Sequence, residues 1–146
     1  MTNFRGKRKD NDEWVFGGYY LSDRYDYEAD EFPCYIIHTH DIMGFIGIRV
    51  RSETVGQLVN FFIDGKMLYG GDILERPYQE KVTDPIVTQR GYVAASNDGT
   101  QYVIRTKDRD YPFSQWITRH MRYIGNIYDN AEAAKEFFEE SEDGAI

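Results

Sequence analysis

The side chains best suited to bind a ligand are basic residues placed among aromatic ones. Arg49 and Arg51 are separated by a single residue, so on a strand they would share one face, and further basic residues cluster near the N-terminus. Basic groups bind phosphate and aromatic rings stack on bases, so the combination suits a nucleotide or a single-stranded nucleic acid. A basic face that pairs with the chain's own carboxylates is the alternative. The candidate ligand-binding residues are Arg5, Lys7, Arg8, Trp14, Arg49 and Arg51.

His38 and His40 form the pattern closest to a metal site, because alternate residues on a strand face the same way. A closed site needs more ligands, and the sequence offers only Asp41, His120 or remote carboxylates. Two histidines at the end of an apolar strand are more often polar turn residues. We therefore predict that the chain binds no metal.

The sequence lacks the patterns that common enzyme classes share. Cys34 lies in an apolar stretch with no visible group that would activate it, so we expect a buried core thiol. The glycines form no phosphate-binding loop, and no Gly-x-Ser-x-Gly elbow is present. Asp72 has no second acid or base at a defined spacing, which favours a carboxylate that stabilises a turn. We predict that the chain is not an enzyme and binds no cofactor.

Composition limits the class of partner. The 146 residues include 25 acidic and 17 basic ones, and the resulting net charge of −8 disfavours binding to nucleic acid. The longest apolar runs, Cys34–Ile37 and Tyr92–Ala95, are far shorter than a membrane helix or the core of a signal peptide. A single cysteine excludes an internal disulfide. These features predict a cytoplasmic protein that does not contact a membrane.

Short alternation of apolar and polar residues predicts strands more than helices. Asp64-Gly65 and Ser96–Thr100 are turn sequences that predict two hairpins. The one clear helix follows Asn130, a suitable N-cap, and residues 141–146 are expected to fray. We therefore predict a small all-β barrel or sandwich, in a single domain that covers residues 1–146. The predicted strands are Trp14–Tyr20, Tyr35–Ile37, Ile46–Val50, Lys66–Tyr69, Asp72–Leu74, Ile86–Ala95, Gln101–Thr106 and Arg122–Ile127.

Three stretches, in order along the chain, resemble the YopX-like proteins of phages and prophages. Phe4–Arg8 with Glu13–Gly17 is similar to the opening strand pair of that family. Glu53–Gln57 (ETVGQ) and Gly65–Ile73 (GKMLYGGDI) are similar to its central block, and Ile124–Glu132 (IGNIYDNAE) to its closing segment. The resemblance implies an all-β fold built around an SH3-like barrel, with additional strands and a short C-terminal helix. It implies no established biochemical activity.

The chain departs from the family pattern at several places, and the turn Ile42–Phe45 is one that has no family counterpart. Gly70 stands where the family commonly has Glu, so any role of that acid is absent here. Ala131 replaces the usual Pro at the first helical position, which leaves the Asn130 cap intact. The acidic segment Tyr25–Glu31 has no family counterpart.

Two functions are consistent with these patterns. The favoured one is a non-enzymatic phage accessory protein that antagonises host defence by binding a host protein or by sequestering a nucleotide. The alternative is a protein of the phage replication or regulatory module that associates with single-stranded nucleic acid. Strands with exposed edges and many aromatic residues must be covered, so we also predict a homo-oligomer.

Overall fold

The computed structural model describes residues 3–40, 42, 44–116 and 120–138. Within these ranges the chain is mainly β, which confirms the predicted fold class. The helices are α1 (Phe113–Trp116), α2 (Ala131–Phe138) and a 3-10 turn, Ser52–Thr54. The strands are β1 (Phe4–Lys7), β2 (Trp14–Leu21), β3 (Cys34–His40), β4 (Gly44–Val50), β5 (Gly56–Ile63), β6 (Lys66–Tyr69), β7 (Asp72–Tyr78), β8 (Val87–Ala95), β9 (Tyr102–Arg105), β10 (Asp110–Tyr111) and β11 (Arg122–Asn126).

The chain separates into two compact units, Met1–Val59 and Asn60–Ile146, and passes from one to the other within β5. In the first unit the antiparallel strand order is β4-β3-β2-β1-β5. In the second unit β6 follows β5, and a five-stranded antiparallel sheet has the order β10-β9-β8-β7-β11. That the whole chain forms a single domain stays a prediction.

The core of the first unit lies on one face of its sheet. Cys34, Ile36 and Val50 are fully buried there, and Val15 packs against them. Gly6 makes this packing possible, because a Cβ atom at Gly6 would lie only 3.1 Å from the side chain of Val50. The opposite face of the same strands carries Trp14, Phe16, Tyr20 and Tyr35, since successive side chains alternate along a strand.

The second unit has an apolar cluster where α2 packs on the sheet. Ile73, Tyr92 and Val103 come from three neighbouring strands, and Ala134 is the buried residue of the helix. The ring of Phe137 lies 5.0 Å from that of Tyr92, between centroids. The helix thus has one covered face, with Ala133, Ala134 and Phe137, and one exposed face.

Local turn signals predicted the hairpins correctly. Asp64 and Gly65 both adopt positive φ, 51° and 75°, which a tight two-residue hairpin requires, and they join β5 to β6. Asn130 does occupy the helix N-cap position, because its carbonyl accepts the N–H of Ala134 at 3.0 Å. Its side-chain oxygen, however, accepts the N–H of Asn126 and not that of a helix residue.

The structure differs from the predicted fold in several details, of which the barrel and the length of β7 come first. The SH3-like barrel is not confirmed, because both sheets are open within the described residues; the isolated bridge Arg8↔Val50 links only the ends of β1 and β4. Strand β7 also continues to Tyr78, beyond the predicted end at Leu74. Pro77 is tolerated there because β11 pairs with β7 only as far as Glu75, so the missing N–H leaves no gap in that ladder.

Candidate ligand-binding surface

Three of the predicted site residues lie together at the β1–β2 pair. Lys7 lies opposite Trp14 in the antiparallel register. The guanidinium carbon of Arg5 is 4.5 Å from the Trp14 ring centroid, and the Lys7 ammonium is 5.4 Å from it. Both cations are buried, so their charges interact with the indole ring at the sheet surface more than with solvent. The predicted mixture of basic and aromatic residues exists here.

Arg8 and Arg51 are held by acidic residues in turns. Arg8 donates two hydrogen bonds to Asp10, at 2.9 and 2.8 Å, and this pairing lowers the pKa of Asp10 and raises that of Arg8. Arg51 lies 2.5 Å from an oxygen of Asp12 and 3.9 Å from one of Glu53. Neither guanidinium belongs to the group around Trp14.

Arg49 is bound by the acidic segment that the sequence left without a role. Its guanidinium donates to Asp26 at 2.7 Å and to Glu31 at 3.1 Å, and Lys9 donates to Glu31 at 2.9 Å. The bridge Asp26↔Glu31 keeps the two carboxylates side by side. The hydrogen bond from Arg49 lowers the pKa of Asp26, and those from Lys9 and Arg49 lower the pKa of Glu31. Tyr25–Glu31 therefore supplies the counter-ions of Arg49 and Lys9.

A cavity of about 420 Å³ borders these cations. Its wall consists of Arg8, Lys9, Asp10 and the stretch Ile46–Arg49 of β4. The volume falls in the range of small-molecule sites. Each of the three cations in the wall is paired with a carboxylate of the same unit, so an anionic ligand would have to compete with Asp10, Asp26 and Glu31. The arrangement favours the alternative from the sequence analysis, a basic face that pairs with the chain's own carboxylates.

The outer side of β2 and β3 carries two exposed aromatic side chains among half-buried ones. We call Trp14, Phe16, Tyr20, Tyr35 and Ile37 the aromatic face, because they share the outer side of β2 and β3. Tyr20 is 52% and Phe16 38% exposed, and the Tyr20 and Tyr35 ring centroids are 6.3 Å apart. Exposed aromatic clusters of this kind are typical of surfaces that bind other proteins.

The sequence analysis missed a buried cation in the second unit, Arg76. It is only 7% exposed, and its guanidinium lies over the rings of Trp116, Tyr78 and Tyr111, at 4.6, 5.3 and 5.5 Å from their centroids. It donates to the carbonyls of Trp116 (2.8 Å) and Gln115 (3.3 Å).

No carboxylate among the described residues pairs with Arg76. Burial lowers its pKa from the usual value, and the nearby charge of Arg109 acts in the same direction. Because its donors meet the last carbonyls of α1, Arg76 fixes that segment against the sheet. This role is structural. The sequence alone does not predict it, because it depends on residues that only the fold brings next to Arg76.

The residues weighed for catalysis have structural surroundings. Cys34 is buried, its thiol lies 3.5 Å from the carbonyl oxygen of Val50, and burial raises its pKa. One carboxylate oxygen of Asp72 accepts the N–H of Tyr69 at 2.8 Å, as expected for a turn-stabilising residue. His38 lies with Nδ1 3.3 Å from the Phe16 carbonyl oxygen, while the His40 side chain and Asp41 lie outside the described residues. Within the described part of the chain, no three His, Cys, Asp or Glu residues are close enough to hold a metal.

The stretches that carry the family resemblance also shape turns. Thr54 of the ETVGQ stretch accepts the N–H of Lys7 at 2.9 Å and donates to the Arg51 carbonyl at 2.6 Å. In the closing stretch, a Cβ at Gly125 would lie 2.1 Å from the side-chain oxygen of Asn130, so only glycine fits. These motif residues position backbone and form no reactive cluster.

Comparison with known proteins finds a family but no individual relative. No curated protein and no solved structure matches the chain. No helix in the described ranges is both long and apolar enough to cross a membrane. The sequence model of the family described as YopX protein matches residues 3–134, which span both compact units. The chain therefore belongs to the YopX family.

Proposed function

We propose that this protein is a non-enzymatic binding protein of a phage or prophage, that it acts in the bacterial cytoplasm, and that it counters host defence by binding a host protein. The observation that carries the proposal is a contrast on the first unit: Arg8, Arg49 and Arg51 are paired with carboxylates, whereas Phe16 and Tyr20 are exposed on the aromatic face. Such a surface matches an apolar or aromatic patch on a protein better than it matches phosphate.

The same contrast weakens the two phosphate-binding alternatives. Affinity for single-stranded nucleic acid rises with the number of phosphates that basic residues neutralise. Arg8, Arg49 and Arg51 already neutralise carboxylates of their own unit, so each offers little net charge to a phosphate. Sequestration of a nucleotide is the second candidate, because the cavity beside Arg8 and Arg49 has a suitable volume, about 420 Å³.

The test compares two aromatic substitutions on the same unit. Phe16→Ser with Tyr20→Ser removes the exposed rings of the aromatic face, whereas Tyr27→Ser removes a ring that is 88% exposed but lies in the acidic segment. Tagged proteins are incubated with host lysate, a retained protein is purified, and its affinity is measured by calorimetry. We expect the wild type and Tyr27→Ser to bind equally and the double variant to lose at least ten-fold in affinity.

Two outcomes would contradict the proposal. One is equal retention of the host protein by the double variant, with circular dichroism confirming that all variants are folded. The other is a nucleotide that raises the melting temperature by several degrees in a screen of cyclic and linear nucleotides, which would establish the second candidate instead.

A further inference from the structure

Strand β4 leaves part of its outer edge open. The backbone carbonyl of Arg49 accepts the N–H of Lys9 (3.1 Å), and the backbone N–H of Arg51 donates to the carbonyl of Lys7 (2.9 Å). The backbone groups of Arg49 and Arg51 therefore point away from β3. Along a strand, the N–H and C=O groups of every second residue point to the same side. The groups of Phe45 and Gly47 therefore also point outward, and among the described residues only β3 pairs with the stretch Gly44–Gly47.

The side chains of this edge are uncharged and accessible. Phe45 is 77% exposed, Gly44 and Gly47 are exposed, and Ile46 and Ile48 are half-buried. Natural sheets usually protect such an edge with charged residues or proline. The stretch Gly44–Ile48 contains neither, so it is suited to pair with another strand.

We propose that β4 pairs antiparallel with β4 of a second copy of this chain, about a two-fold axis at Ile46. In this register Phe45 of each copy lies opposite Gly47 of the other, and these pairs exchange four backbone hydrogen bonds. Pairing extends no further along the strand because the Arg49 carbonyl is already occupied by Lys9. The register thus uses the two residues whose outward groups are open.

The edge is self-complementary, which favours a second copy over an unrelated peptide. The two Ile46 side chains meet at the axis, where directly opposed residues come closest. Phe45 covers the bare backbone of Gly47 from the other copy, and Ile48 lies opposite Gly44. No charged residue faces a like charge in Gly44–Ile48, which matters for a chain of net charge −8. This pairing uses none of the residues of the aromatic face and is therefore independent of host-protein binding, although it does use Ile46–Ile48 of the cavity wall.

The oligomeric state tests the interface first. At tens of micromolar, light scattering should give about twice the chain mass of 17.1 kDa for the wild type. Ile46→Lys should give the monomer mass, because it would place two like charges at the axis. Ile86→Lys, at a residue 69% exposed in the second unit, should remain dimeric. Melting curves establish that the variants are folded.

Disulfide cross-linking tests the register. In a Cys34→Ser background, Ile46→Cys should cross-link two chains on oxidation, whereas Ile48→Cys, opposite Gly44 of the other copy, should cross-link at least ten-fold less. A wild-type monomer, a dimer that Ile46→Lys leaves intact, or equal cross-linking by both cysteines would overturn the proposal. Binding of a host protein by the monomeric variant would leave the proposed function standing.

Discussion

The charges of Arg49 in the first unit and Arg76 in the second are compensated by different groups. Arg49 is part-exposed and lies between two carboxylates, Asp26 and Glu31. Arg76 is buried, has no carboxylate partner in the described residues, and is held by two backbone carbonyls and three aromatic rings. The charge of Arg49 therefore affects what the surface can bind, whereas the charge of Arg76 stabilises the fold.

The energetic weight of each cation follows from its surroundings. An ion pair near the surface contributes little, because water and salt compete with it. A buried guanidinium that satisfies buried carbonyls contributes more, since its removal leaves those acceptors without donors. The substitutions below test this comparison, from the largest expected effect to the smallest.

Arg76→Met should destabilise the second unit by about 3 kcal/mol, because the carbonyls of Gln115 and Trp116 lose their donor. Urea unfolding followed by tryptophan fluorescence in a Trp14→Phe background would report on Trp116 alone, since the chain has two tryptophans. The control is Arg8→Met, the same change at an exposed ion pair, followed through Trp14 in a Trp116→Phe background. Equal effects of the two substitutions would contradict the comparison.

Asp72→Ala should destabilise the second unit by about 2 kcal/mol, because Asp72 is 1% exposed and accepts the N–H of Tyr69. The matched change in the first unit is Asp12→Ala, which removes an exposed partner of Arg51. Its urea midpoint should fall much less than that of Asp72→Ala, mainly through the strain of an alanine at φ 61°. A destabilisation by Asp12→Ala as large as that by Asp72→Ala would mean that exposure does not decide the energetic weight of these carboxylates.

Glu75 should make stability depend on acid pH. The hydrogen bond from Arg122 is the main cause that lowers the pKa of Glu75 below its value in the unfolded chain, against the opposing effect of burial. The stabilisation is therefore present above the unfolded pKa of about 4.3 and lost as pH falls through the lower folded pKa. Melting temperatures between about pH 6 and pH 3 should fall less for Glu75→Gln than for the wild type. Parallel curves would rule this contribution out.

Asp98 tests whether a low pKa needs a cation at all. Donors from Ser96 and Thr100, and no arginine, lower the pKa of this exposed carboxyl to about 2. Carbon-detected NMR titration should give that midpoint for the wild type. Thr100→Val removes one hydroxyl donor and should move the midpoint toward 3.8. An unchanged midpoint would show that the hydroxyl is not one of the causes.

Sequence reasoning located features that depend on neighbours along the chain. Asp64-Gly65 forms the predicted hairpin and Ala131–Phe138 the predicted helix, because turn and helix signals are local. The ends of strands were less well predicted: β3 extends to His40 and β7 to Tyr78, since pairing partners determine where a strand stops. β10 and α1 were not predicted.

The sequence predicted which basic and aromatic residues form the candidate site, but not which carboxylates pair with the basic ones. Arg5, Lys7 and Trp14 lie together because β1 and β2 pair in register. Asp26 and Glu31 reach Arg49 across 23 and 18 residues of chain, a pairing that only the folded sheet reveals. The buried position of Arg76 was not predicted for the same reason, because its surroundings come from distant segments.

The central claim is that carboxylates of the first unit neutralise Arg8, Lys9, Arg49 and Arg51 and so disfavour phosphate ligands. Fluorescence anisotropy of a labelled single-stranded oligonucleotide, at about 50 and about 200 mM salt, tests this directly with the wild type and with Asp26→Asn/Glu31→Gln. The wild type should not bind at the higher salt, and the double variant should bind at the lower salt, because Arg49 and Lys9 lose their partners. Submicromolar binding by the wild type at about 200 mM salt would contradict the account.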